Sequence, residues 1–142
     1  MFRGSSVSAP CLSGAWSWSL PTPDMRRLPE TGVYVVSITL SARAELTVGA
    51  LGAMVLPRGT YLYVGSARRA LRARVLRHTR REKALRWHVD YLTSLAPANE
   101  AWGWSDGVVS ECGLAQALCQ VTDVVRGFGA SDCRCSGHLF HD

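Results

Sequence analysis

Hydrophobic and polar positions alternate in short runs along most of the chain, and each run predicts an element. Gly32-Val33-Tyr34-Val35-Val36-Ser37-Ile38-Thr39-Leu40 is dense in β-branched residues and predicts a strand. Gly49 and Gly52 punctuate the apolar run Leu46–Leu56, and Pro57-Arg58-Gly59 is a turn signal. Thr60-Tyr61-Leu62-Tyr63-Val64 alternates like a strand with two faces, which puts Tyr61 and Tyr63 on one of them. Gly65 and Ser66 then read as the end of the strand and the cap of a helix. In that helix Leu71, Arg74 and His78 fall at i, i+3 and i+7 and share a face.

Farther on, Trp87, Tyr91 and Leu95 recur at helical spacing, and Pro97 ends the segment. Trp102 and Trp104 alternate with Gly103 and Ser105, and Asp106-Gly107 reads as a turn into a second short strand at Val108-Val109. Ser110 precedes a helical stretch, Glu111–Cys119, with Leu114, Ala115 and Leu118 on its apolar side. The glycine-rich tail from Gly127 ends in a short strand. Together these runs predict an α/β fold, a small central antiparallel sheet flanked by helices, with the domain at 31–142. Residues 1–30 mix serine and proline, which resist regular structure, and predict a flexible leader whose Trp16 and Trp18 are its exceptions.

Composition narrows the picture. The 142 residues are 47% hydrophobic, enough for the core of one domain. No apolar run is long enough to span a bilayer, and the N-terminus lacks the apolar stretch of a secretory signal. Five cysteines fall short of a disulfide scaffold, so a reduced cytoplasmic setting is expected. Cys133, Cys135 and His138 form C-x-C-x₂-H, tighter than the usual spacing of structural zinc, and predict a packed, hydrogen-bonded loop.

The net charge of +5 is unevenly placed. Arg68 through Arg86 holds nine basic residues against Glu82 alone, +8, which leaves −3 for the rest. Arginine forks suit phosphate oxygens, so DNA is the expected partner, with RNA left open; no obligate protein partner is evident. Arg68, Arg69, Arg72, Arg77, Arg81, Lys83 and His88 are the candidate nucleic-acid contacts. Glu111, in the first turn of its helix, is either a dipole-compensating charge or a hard oxygen ligand for Mg²⁺ or Mn²⁺.

The blocks Gly59–Ala67, Arg74–His78, Trp87–Leu92, Glu111–Ala115 and Gly127–Leu139, in that order, resemble a small stand-alone subfamily of the GIY-YIG nucleases. Gly32-Val33-Tyr34 is similar to the first motif of that family and Tyr63-Val64-Gly65 to its second. The resemblance implies a metal-dependent DNA endonuclease of repair or structure-specific type. It casts Tyr34, Tyr63, Arg74 and His78 as catalytic and Glu111 as the ligand of one Mg²⁺ or Mn²⁺. The chain departs from the wider family in a longer segment between Tyr34 and Tyr63 and in having Asn99 as its sole asparagine.

Overall fold

The structure, a computed structural model, describes residues 16–19, 28–130 and 134–142. Two nine-residue strands, β2 (Gly32–Leu40) and β5 (Gly59–Ala67), form its centre, paired antiparallel from Gly32 opposite Ala67 to Leu40 opposite Gly59. They lie in a six-stranded sheet of order β1-β6-β2-β5-β8-β7. Its other members are β1 (Trp16–Ser19), β6 (Glu100–Ser105), β7 (Asp123–Val125) and β8 (Leu139–His141). Every pairing is antiparallel. The segment between the two central strands folds into its own hairpin, β3 (Ala44–Val48) against β4 (Gly52–Leu56). Among the described residues three short α-helices complete the fold: α1 (Leu71–Arg77), α2 (His88–Thr93) and α3 (Glu111–Cys119).

Both faces of the sheet are covered, which is why the central strands read as nearly continuous apolar runs. Tyr34, Val36, Ile38, Tyr61 and Tyr63 face α1, α2 and the β3–β4 hairpin, packing with Leu71, Val75, Val89 and Leu92. Val33, Val35, Leu62 and Val64 face the other way, with Trp102, Trp104 and Leu114, Ala115 and Leu118 of α3. The expected antiparallel sheet flanked by helices is therefore present.

Local departures have identifiable causes. β5 does not stop at Gly65 but continues to Ala67, because Gly65 lies directly across from Tyr34. A Cβ there would stand 2.5 Å from the Tyr34 Cζ and Oη, so the glycine serves close approach, not a break. Ser66 consequently caps nothing; α1 starts after Ala70, which takes a left-handed conformation with φ 56°. That helix ends at His78, where the buried imidazole and the Ala98 N–H donating to the His78 carbonyl turn the chain. Trp87 caps α2 instead of lying within it, and Leu95 is exposed beyond the helix end. Val108 and Val109 form no strand, whereas β7 carries no alternation long enough to predict it.

The packed core also reaches ahead of residue 31. Leu28 is wholly buried, its carbonyl accepts from Arg72 Nε at 2.7 Å, and the Glu30 carbonyl accepts from Leu71 N. Trp16–Ser19 pairs with β6 as an edge strand. Among the described residues no helix is long and apolar enough to cross a membrane.

Candidate active site

A cavity of about 240 Å³ opens where four elements converge, lined among others by Tyr34 of β2, Tyr63 and Ser66 of β5, Arg74 of α1 and Glu111 of α3. The tyrosines reach one side of the sheet because they sit two residues off register on neighbouring strands: Tyr34 lies opposite Gly65, and Tyr63 opposite Val36. Their ring centroids are 6.5 Å apart. The Tyr34 hydroxyl is 2.8 Å from His78 Nε2, and both groups are buried.

Burial governs how this pair titrates. It lifts the Tyr34 pKa well above 10, reinforced by Tyr63, and the nearby Arg74 guanidinium only partly offsets the rise. Burial likewise lowers His78 to about 3, with Lys83 adding to the effect. At neutral pH the pair is a phenol beside a neutral imidazole. Arg74 alone does not favour a Tyr34 phenolate, because desolvation outweighs it.

Glu111 is held from two sides. Ser66 Oγ donates to its Oε1 at 2.6 Å, and His138 Nδ1 lies 2.8 Å from its Oε2. Burial opposes its ionisation, but the hydrogen bonds from His138 and Ser66 prevail and hold the carboxyl below its ordinary range. Ser110 Oγ, accepting from Gly113 N at 2.9 Å, caps α3 and fixes where Glu111 begins it. Arg74 Nη1 donates to the Ser66 carbonyl at 2.7 Å, with its guanidinium carbon 4.5 Å from the Trp87 ring centroid. One ionised carboxylate in a polar pocket suits Mg²⁺ or Mn²⁺, which keep several waters and need few protein oxygens. Among the described residues, Glu111 is the one carboxylate lining the cavity.

The basic stretch divides in two. Arg77 Nη2 pairs with wholly buried Asp90 at 2.8 Å, whose same oxygen accepts from Arg86 N and Trp87 N. Lys83 Nζ donates to the Arg77 carbonyl and to Thr93 Oγ1, and Arg81 Nη1 to the Leu95 carbonyl. Arg72 adds an ion pair with Glu30 to its bond with Leu28. His88 Nδ1 accepts from Gly129 N at 2.8 Å, although the His88 ring still lines the cavity. These expected contacts to nucleic acid thus work within the fold. Arg68 and Arg69 stand exposed beside the mouth of α1, and Arg86 lines the cavity.

Sequence reasoning missed Ser66, read as a helix cap, and the bond between His138 and Glu111. It also passed over Trp87 and Arg86 as cavity walls. Ser66, Trp87 and His138 lie inside the resembling blocks and Arg86 closes the basic run, which were the signals that could have found them. Asp132 and Cys133 lie outside the described residues.

The fold and cavity define a small α/β domain with a polar, arginine- and carboxylate-bearing cleft at one end of an antiparallel sheet. The chain belongs to the family described as domain of unknown function DUF123, which matches residues 33–142. No curated protein and no solved structure matches it.

Proposed function

We propose that the chain is a metal-dependent endonuclease that hydrolyses DNA phosphodiester bonds, of structure-specific or repair type. The observation that carries this reading is the single cavity where Tyr34, Tyr63, Arg74 and an ionised Glu111 converge from four elements. Arg74, held by Ser66 and Trp87, is placed to neutralise charge growing on a phosphate, a role worth several kcal/mol in a water-poor site. Glu111 would hold Mg²⁺ or Mn²⁺, which supplies a Lewis acid for the departing oxygen. Tyr34 keeps its proton in the state described, so it orients water or phosphate unless added positive charge favours its phenolate. In that event His78, in the tautomer protonated at Nε2, donates to the phenolate oxygen. Arg68, Arg69 and Arg86 draw in the DNA backbone. A reduced cytoplasmic setting forms part of the same reading.

The test is single-turnover cleavage of branched, nicked and single-stranded DNA with Mg²⁺, Mn²⁺ or EDTA. Glu111→Gln and Arg74→Lys should each lower the rate by orders of magnitude while DNA binding in EDTA persists. A second reading, a DNA-binding module of the same fold that no longer cuts, draws support from Glu111, whose two oxygens are already engaged. Metal-independent binding with no cleavage of any substrate would establish that reading instead.

A further inference from the structure

Cysteines distant in sequence meet where the C-terminal segment returns to α3. Cys112, the second residue of that helix, lies beside Cys135 and His138, and one donor atom from each falls within 4.8 Å of the others. In a tetrahedral zinc site with bonds of about 2.0–2.3 Å, donor atoms stand roughly 3.4–3.8 Å apart. A contraction of about 1 Å closes the set, within the reach of side-chain rotation. The loop that carries Cys135 and His138 is firmly built. Gly127 N donates to the Ser136 carbonyl at 2.6 Å, His138 N to the Phe128 carbonyl at 2.7 Å, and Val64 N to the His138 carbonyl at 2.9 Å. At Gly137 a Cβ would come 2.4 Å from the Val125 carbonyl oxygen, so the turn between the two donors is closely packed.

We infer that Cys112, Cys135 and His138 ligate a soft divalent metal, zinc by the choice of donors. Two sulfurs and an imidazole select zinc over Mg²⁺ or Mn²⁺, which seek oxygen, so this site is distinct from a hard-ion site at Glu111. Cys112 occupies the first turn of a helix, where the backbone dipole favours a thiolate. His138 brings the second part of the arrangement. With Nδ1 donating to Glu111 Oε2, Nε2 is the nitrogen that carries the lone pair for a metal. A carboxylate behind a ligating histidine is the usual means of fixing its tautomer and orientation. The metal pins the C-terminal segment to α3 and, through His138, steadies the Glu111 carboxylate. The C-x-C-x₂-H run already held Cys135 and His138, but only the fold brings in Cys112 from another element.

The full chain, purified without chelators, is measured for metal content and then titrated with Co²⁺ after zinc removal. About one zinc per chain is expected, together with a thiolate-to-cobalt charge-transfer band and tetrahedral d–d bands. Cys112→Ser and Cys135→Ser should each lose the charge-transfer intensity, whereas exposed Cys119→Ser should match wild type. Glu111→Gln should weaken zinc binding by about 10–100-fold, read by chelator competition. The wild-type titration needs no variant, so a substitution that fails to fold leaves the answer intact. A wild-type chain with no retained zinc and no cobalt band overturns the inference, as does an unchanged spectrum in Cys112→Ser. Cleavage enters none of these readouts. A chain that holds zinc and cuts nothing refutes the nuclease reading alone; one that cuts without zinc refutes this inference alone.

Discussion

Buried, neutral His78 makes a sharp prediction about acid. Its pKa is lowered to about 3 in the fold, against 6.5 for the free side chain. Between those values the unfolded chain binds the proton and the folded chain does not, so stability falls as pH drops through that window. The slope approaches about 1.4 kcal/mol per pH unit, and lowering pH from 7.5 to 5 costs about 2 kcal/mol. Asp90 and Glu111 have lowered pKa values, so their contributions are lost at lower pH, as it falls through the ordinary carboxylate range and below. Urea unfolding at a series of pH values measures the effect, and about 2 kcal/mol corresponds to a midpoint shift near 1 M. His78→Gln keeps a polar group near Tyr34 but cannot titrate. Its stability should lie below wild type at neutral pH yet depend much less on pH across the window. Parallel slopes for the two proteins would refute the argument and place the proton uptake elsewhere.

Gly65→Ala should destabilise the fold by about 1–3 kcal/mol and displace the Tyr34 ring, since the added Cβ meets that ring at 2.5 Å; thermal melts and near-UV circular dichroism would register both. Asp90→Asn should cost about 2–3 kcal/mol in chemical denaturation, because a buried carboxylate bonded to Arg77 and two backbone amides is lost. Leu28→Ala should cost about 2–5 kcal/mol, and a chain begun at Thr31 should melt well below one that retains Leu28. If Arg68 and Arg69 contact DNA phosphates, replacing both with Ala should reduce the slope of log affinity against log salt by about 2.

Much of the fold was legible because the relevant forces are local. β-Branched residues in Gly32–Leu40 and alternation in Thr60–Val64 marked the central strands, and Ser110 with the apolar face of 111–119 marked α3. Helix length was not legible. Residues 80–86 are rich in good helix formers, yet they are held in an irregular path by side-chain bonds of Asp90, Arg77 and Lys83, which helix propensity does not register. The same bonds explain why a basic run that reads as one binding face divides into structural and exposed arginines. Charge counts register the sign of a side chain, not which carbonyl or carboxylate it already serves.

For the candidate site, the residue types were present in sequence order; the resemblance of the five blocks singled out Tyr63, Arg74, His78 and Glu111, and that of Gly32-Val33-Tyr34 added Tyr34. Sequence alone determined that these groups exist and that short-range pattern places them on strands and helices. The tertiary structure decided their chemistry. Antiparallel register set Tyr34 over Gly65, and packing on both faces of the sheet removed water from Tyr34 and His78, driving both toward their neutral forms. The return of the C-terminal segment brought His138 to Glu111 and Cys135 to Cys112. Protonation and metal preference depend on solvent exposure and on neighbours across the chain, and those are fixed only when distant segments pack.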